Sequence, residues 1–267
     1  MAVAAAFLKR DISQGLSYRL NFLMQFGGIF LSVAMFYFLS QLFGNALAPQ
    51  LDKYGGDYFS FVLIGIAFSS YMSLSLSNFA ESIREGQMMG TLEIMLLSPT
   101  RLSNILLSSS LWPYLMTTLR VLIYLFFGAL IFGFNLNQAN FLTALVVLVL
   151  SITSFSGIGI LSAAFVLVFK KGDPVAWVMS GISSLLAGVY YPISVLPDWL
   201  EVFSHFLPLT YALDAMRLAM LKGSSLFDVR FDILVLLGFT VVLTPLAFLL
   251  FRKTLKRAKM EGSLIQY

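Results

Sequence analysis

The sequence predicts an all-α membrane protein, and three observations support this fold class. Of the 267 residues, 59% are hydrophobic and only 11% are charged, whereas a soluble domain carries roughly 25% charged residues. The mean hydropathy is +0.88. The apolar residues also gather into runs close to the length of about 20 residues that a helix needs to cross a bilayer. We therefore expect a single domain over residues 1–267 in which the bilayer is the main solvent.

Six transmembrane helices are predicted, separated by residues that start or end helices. Asp57 is a capping residue at the start of the second span. Asp173 and Pro174 form a typical helix start before the fifth span, a capping carboxylate followed by proline. The predicted spans cover residues 21–43, 58–79, 106–132, 141–169, 175–191 and 231–251.

The N-terminal residues 2–20 are predicted to form an amphipathic helix in the plane of the headgroups. A leucine or isoleucine recurs every four residues from Leu8 to Leu20, which places these side chains on one face. Lys9 and Arg10 lie on the other faces and meet the polar headgroups. The alternative is a frayed N-terminus.

The distribution of positive charge predicts the orientation. Twelve lysines and arginines lie in connections on one side of the predicted spans and four lie on the other. Cytoplasmic connections carry the excess of these residues. We therefore expect a multi-pass protein with both termini, and the polar connection of residues 85–101, in the cytoplasm.

Few groups are available for chemistry within this chain. It has no cysteine and a single histidine, His205, so we expect no metal site built from these residues. The phosphate-binding pattern G-x-x-x-x-G-K-[ST] is missing. All thirteen acidic residues lie in predicted loops or at span ends, which excludes a carboxylate relay in mid-membrane. The positive charge lies beside the spans, where lipid headgroups explain it without a nucleic-acid partner.

Arg120 is the only charged residue predicted to lie deep within a span. It is either a contact for an anionic substrate headgroup or a structural residue. In the second case it pairs with backbone carbonyls, with a polar neighbour or with another subunit.

Two stretches carry a family likeness. Residues 85–100, EGQMMGTLEIMLLSPT, resemble the "GTLE…LL.SP" loop of the ABC-2 type permeases. Residues 191–200, YPISVLPDWL, and 207–217, LPLTYALDAMR, are similar to the family's outer segment, "P.S.LP.WL…NPLTYA.DA.R". One departure is Phe206-Leu207, where the family often has asparagine before the proline. The resemblance covers essentially the whole chain.

The resemblance implies the membrane subunit of an ATP-driven exporter with the type V fold. It implies a non-catalytic chain in the inner or plasma membrane, surrounded by lipids and pairing as a homodimer. Two cytoplasmic ABC ATPase chains would bind ATP and magnesium, so this chain itself would hold no cofactor and no metal. The substrate would be an amphipathic drug, a polysaccharide, a lipid or a lipid-linked glycan.

The connection of residues 85–101 is predicted to receive the ATPase, with a short coupling helix from Thr91 to Leu97. Methionine and leucine side chains suit a groove that repacks, although they could equally pack against the chain's own spans. The predicted coupling residues are Lys9, Arg10, Glu85, Met88, Met89, Gly90, Thr91, Leu92, Glu93, Met95, Ser98 and Pro99.

The substrate path is predicted between two copies of the chain, along spans 1, 2 and 5. Small residues there permit close approach of helices, and they could serve packing alone. The predicted path residues are Ser69, Ser70, Arg120 and Gly181.

Prolines divide residues 192–222 into two helices too short to cross the membrane, and these outer re-entrant helices are predicted to close the exit. Asp214 and Arg217, three residues apart on one helix, are predicted to pair locally. The predicted outer-gate residues are Pro192, Pro197, Trp199, Pro208, Tyr211, Asp214 and Arg217.

Two functions of other classes stay open from the sequence. A membrane scaffold without transport would tolerate an insertion within residues 85–101. An intramembrane enzyme would use His205 with Ser204 or Ser194 nearby, and it would lose its activity in His205→Ala.

Overall fold

The structure describes residues 6–12, 19–44, 47–91, 102–169 and 173–260 of a computed structural model, and most of these residues are helical. No β-strand occurs in these ranges, and the all-α membrane fold is confirmed. Residues 6–12 are helical. The further elements are α1 (Arg19–Phe43), α2 (Ala48–Leu51), a 3-10 turn (Asp52–Tyr54), α3 (Tyr58–Met88), α4 (Leu102–Phe132), α5 (Phe141–Phe169), α6 (Pro174–Leu186), a second 3-10 turn (Ile193–Val195), α7 (Asp198–Ser204), α8 (Pro208–Lys222) and α9 (Arg230–Met260).

Five helices in the described part of the chain, α1, α3, α4, α5 and α9, are long and apolar enough to cross a membrane. The remaining predicted span, residues 175–191, is a helix only as far as Leu186. With 13 residues, α6 is about 20 Å long at 1.5 Å per residue, less than the roughly 30 Å of a bilayer core. The helical extent predicted beyond Leu186 is wrong, because Gly188 adopts φ +78° and Tyr191 folds back to donate its hydroxyl to the carbonyl of Leu185. The total of six spans stays a prediction.

Helix α3 begins at the predicted cap and ends later than predicted. The Asp57 carboxylate accepts from the backbone N–H groups of Phe59 at 3.2 Å and Ser60 at 3.0 Å. The helix then extends nine residues beyond the predicted end of the span, to Met88. Its continuation stays packed because Ile83 is buried in a cluster with residues of α5 and α9.

Helix α5 is the centre of the bundle and packs against both α3 and α9. Glycine permits this closeness: a Cβ atom on Gly159 would collide with the carbonyl oxygen of Ser75. Polar groups fix the other side of α5, where Ser154 donates to the carbonyl of Leu236 at 2.9 Å and contacts the hydroxyl of Thr240 at 2.8 Å.

Helix α1 lies at the edge of the bundle. Ile29 and Val33 face the core, whereas Met24, Leu31 and Phe38 are largely exposed. This apolar outer surface is what a lipid-facing or subunit-facing helix requires.

Candidate functional site

The predicted coupling region begins within a helix. Glu85 and Met88 belong to the last turns of α3, and Met88 and Met89 are exposed by 67% and 72%. Gly90 adopts φ +65°, a left-handed conformation that favours glycine and ends helices. The apolar side chains at the end of α3 are therefore accessible at the surface of the protein.

The remaining coupling predictions fall at the border of the described residues or outside them. Thr91 is the last described residue before 102. Leu92, Glu93, Met95, Ser98 and Pro99 lie outside the described residues, so the helix from Thr91 to Leu97 stays a prediction.

Lys9 and Arg10 lie on the exposed side of the N-terminal helical segment. Arg10 pairs with Asp11 at 2.7 Å and stacks on the ring of Phe7, 4.8 Å from its centre. These contacts hold its cation close to the segment's own surface.

A seam of hydrogen bonds joins α3 to α4, and the sequence analysis missed it. The hydroxyl of Tyr71 donates to Thr118 at 2.9 Å. One helical turn further along α3, Ser75 contacts the hydroxyl of Tyr114 at 2.8 Å, and this hydroxyl lies 3.3 Å from Ser156 of α5.

The seam continues towards the end of α3. Asn78 donates to Ser110 at 2.7 Å, and Ser82 donates to Ser109 at 3.2 Å. The spacing of four, three and four residues along α3 puts these groups on one face. That spacing is the signal by which the seam could have been found.

Arg120 pairs with a polar neighbour, which is one of the three structural alternatives open from the sequence. With the amide of Gln25 oriented so that its oxygen faces the guanidinium, this oxygen accepts from Nε at 3.2 Å and from Nη2. The pair joins α4 to α1. No pattern in the sequence identified Gln25 as the partner.

The other predicted path residues are satisfied locally or face open space. Ser69 and Ser70 both donate to the carbonyl oxygen of Ile66 in their own helix. A Cβ atom added at Gly181 would meet no atom within 4 Å. No hydrogen bond within the described residues joins them to Arg120.

The outer segment forms two helices, as the prolines predicted. Pro197 precedes α7 and Pro208 is the first residue of α8, where a missing N–H has no cost. Pro192 is buried, and Trp199 is 65% exposed. The hydroxyl of Tyr211 donates to the carbonyl of His205 at 3.0 Å and so links the two helices.

Asp214 pairs with the connection between α1 and α3, and the predicted local pair with Arg217 is wrong. Its carboxylate accepts from Lys53 at 2.6 Å and from the hydroxyl of Tyr54 at 2.7 Å. Burial of Tyr54, and then the neighbouring carboxylate of Asp214, raise the pKa of this phenol. Tyr54 therefore stays protonated and acts as a donor.

Arg217 is buried and serves two backbone carbonyls. Its Nε donates to Phe61 at 3.1 Å and its Nη2 donates to Val189 at 3.0 Å. Burial lowers the pKa of Arg217 to about 9, while Tyr54 and Asp214 oppose this change. The side chain is therefore a cation at neutral pH. Its three-residue spacing from Asp214 had suggested a local pair with that residue instead.

Ser204 and His205 are not arranged as a nucleophile and a base in the described part of the chain. The hydroxyl of Ser204 is buried and donates to the carbonyl of Leu186 at 2.7 Å. His205 is exposed, beside the ring of Tyr211.

Comparison with known proteins identifies relatives of this chain. Residues 5–221 match the model of a family described as ABC-2 type transporter. The chain is also similar to proteins named inner membrane transport permease YadH from Escherichia coli K12 and from Shigella flexneri. In both cases 24% of 178 aligned residues are identical, which covers 66% of this chain and 68% of the relative.

Proposed function

This chain belongs to the ABC-2 type transporter family, and on that premise we propose that it is the membrane permease subunit of an ATP-driven exporter. Its substrate is an amphipathic drug, lipid or lipid-linked glycan, which leaves the cytoplasm through the inner membrane. Two copies of a separate cytoplasmic ABC ATPase bind ATP and magnesium, and two identical permease chains enclose the path. The relatives named inner membrane transport permease support the location and the general role.

Both termini are proposed to lie in the cytoplasm. The positions of three connections, after α3, before α6 and between α1 and α3, support this orientation. Arg84 near the end of α3 and Asp173 before α6 line one cavity, so these ends share one side of the bundle. Lys53, in the connection between α1 and α3, pairs with Asp214 of α8, so the outer segment lies beside that connection. In the predicted topology, twelve of the lysines and arginines lie on the side that holds Arg84.

The observation that carries the proposal is the seam between α3 and α4. These helices flank residues 92–101, the segment that we assign to the ATPase. Because four levels of hydrogen bonds join the two helices, a displacement of the segment moves both helices together. An ATPase that binds this segment differently in its two nucleotide states would therefore shift the conformation of the spans.

The exposed Met88 and Met89 provide the most direct test. Burying one methionine side chain at an interface contributes about 1.5–3 kcal/mol, and about 1.4 kcal/mol is a tenfold change in affinity. In a double variant, Met88→Asp with Met89→Asp, we expect co-purification with the ATPase and ATP hydrolysis by the complex to fall at least about tenfold. Leu92→Ala and Glu93→Ala should lower hydrolysis in the same direction.

Met260→Asp is the matched control, because Met260 is exposed by 72% at the end of α9, on the side that we place in the cytoplasm. It should leave the complex intact. A chain that captures no ABC ATPase in any nucleotide state contradicts the proposal. If an insertion after Gly90 also leaves its cellular role unchanged, the chain is a scaffold.

A further inference from the structure

The end of α3 that we place in the cytoplasm borders a cavity outside the predicted substrate path. The cavity has a volume of about 120 Å³ and lies between α3, α5 and the start of α6. It is lined by Ser77, Ala80, Glu81, Arg84, Val166 and Asp173. Three of these six residues carry charge, two acids and one arginine.

Asp173 has an acceptor to spare. Its Oδ1 accepts from the backbone N–H of Ala176 at 2.9 Å and from the hydroxyl of Ser162. Its Oδ2 is buried and has no hydrogen-bond partner within the described residues. A buried polar group without a partner costs about 1–3 kcal/mol, and an ionised group costs more. A donor with a positive charge would remove this cost.

Glu81 and Arg84 add one charge of each sign at the rim. They lie three residues apart, so they share a face of α3, and both are exposed. Neither forms an ion pair or a hydrogen bond within the described ranges, where the ion pairs are Arg10–Asp11 and Lys53–Asp214. The carboxylate and the guanidinium are therefore both available, and arginine binds phosphate through two parallel hydrogen bonds.

The charges that line the cavity decide which headgroup it favours. A primary ammonium offers three N–H donors, whereas a quaternary ammonium offers none to Asp173.

We propose that this cavity binds the headgroup of an amphiphile that carries a primary amine and a phosphate. The ammonium lies at Asp173 and Glu81, and the phosphate lies at Arg84. Towards the middle of the span, Ser77 and Ser73 continue the same face of α3, and Ser77 donates only within its own helix. Their hydroxyls keep free acceptor capacity beside a headgroup that moves along α3. In this proposal the cavity is also the entry site from which a transported headgroup moves along α3. The entry site rests on the proposed transport function, whereas headgroup binding does not.

Binding is tested on the purified full chain in detergent, without ATPase and without ATP. The probes are phosphatidylethanolamine and phosphatidylcholine with the same fluorescent label on one acyl chain, so that both headgroups are intact. We expect the ethanolamine lipid to bind at least about tenfold more tightly. Asp173→Asn should abolish this preference while it keeps the helix cap, since asparagine caps as well as aspartate. Arg84→Gln should weaken binding of both lipids about tenfold.

Asp198→Asn is the control, because Asp198 is an exposed acid at the start of α7 on the outer side. It should bind both lipids as the native chain does. If Asp173→Asn does not fold, Glu81→Gln and Arg84→Gln carry the test, since both residues are exposed. Equal affinity of the native chain for the two lipids overturns the proposal, as does an unchanged preference in all charge variants.

A second arm separates a transported lipid from a resident one. In vesicles that contain the permease and its ATPase, movement of the labelled ethanolamine lipid on addition of ATP identifies it as cargo. Binding without movement identifies a resident lipid, and both results retain the site. Failure to find an ATPase would contradict the proposed function alone, because binding is measured on the isolated chain.

Discussion

Arg217 lies with its guanidinium 3.4 Å from the centre of the Phe61 ring and donates to the carbonyl oxygen of the same residue. Its second bond, to Val189, reaches the chain that follows α6. One side chain of α8 therefore holds α3 and the end of α6 together. Gly65 makes room for it, because a Cβ atom there would meet Nη2 at 2.6 Å.

Replacing Arg217 should destabilise the outer half of the bundle. Arg217→Met keeps much of the apolar volume but leaves the buried carbonyl of Val189 without its donor, at about 1–3 kcal/mol. The carbonyl of Phe61 keeps only its bond within α3. Arg217→Lys should recover only part of this loss, because an ammonium does not reproduce the planar fork. Thermal unfolding in detergent measures the change. Arg230→Met, at an exposed arginine that stacks on Phe227, should change the midpoint little, and an equal effect of both substitutions would contradict the assignment.

Asp214 should contribute more through Tyr54 than through Lys53. The ion pair with Lys53 is largely exposed, and such pairs contribute about 0–1 kcal/mol. The hydroxyl of Tyr54 is more deeply placed and would lose its acceptor in Asp214→Ala. We therefore expect Asp214→Ala to lower the unfolding midpoint more than Lys53→Ala does. A double-mutant cycle of Asp214→Ala with Tyr54→Phe should show the larger coupling energy, and a cycle in which Lys53 dominates would be contrary to this expectation.

The contacts of Arg217 and Asp214 show which features of the fold could be predicted from the sequence and which could not. Proline placement predicted both outer helices, and the capping residue Asp57 predicted the start of α3. These signals act within a few neighbouring residues. Asp214 and Lys53 are 161 residues apart in the chain, and Arg217 lies 156 residues from Phe61 and 28 from Val189. No local spacing encodes such a choice, and the local pair was the only option visible in the sequence.

The late end of α3 has a related cause. Hydropathy falls after Phe79 because Glu81, Arg84 and Glu85 follow, and the predicted span was ended there. The helix continues because its other face, with Ile83, stays buried. A helical period in the burial pattern, not mean hydropathy, was the relevant signal.

The seam between α3 and α4 should matter more for coupling than for stability. Tyr114→Phe removes the hydroxyl that lies between Ser75 and Ser156. Hydrogen bonds between membrane helices contribute about 0.6 kcal/mol on average, so the unfolding midpoint should shift by only a few degrees or less. If α3 and α4 move as one unit in the native protein, Tyr114→Phe should weaken the link between them. The number of ATP molecules hydrolysed per transported molecule should then rise in this variant.

Tyr124→Phe is the matched control on the same helix. The ring of Tyr124 packs against the core, and its hydroxyl has no hydrogen-bond partner in the described part of the protein. It should leave the ratio of hydrolysis to transport unchanged. A ratio that stays constant in Tyr114→Phe would show that the seam is structural only.

Gly159 and Gly181 should respond in opposite ways to the same added methyl group. At Gly159 the methyl would collide with the backbone of Ser75, so Gly159→Ala should separate α3 from α5 and reduce the amount of folded protein severely.

At Gly181 no atom lies within 4 Å of an added methyl group, and replacing a helical glycine by alanine stabilises the fold by about 0.5–1 kcal/mol. Gly181→Ala should therefore raise the unfolding midpoint of the isolated chain and nevertheless slow transport, because we propose that the substrate path and the second copy lie on this face. Gly238→Ala, at another open position on α9, should raise the midpoint without slowing transport. Transport by Gly181→Ala at the native rate would remove Gly181 from the path and leave that face of α6 to lipid.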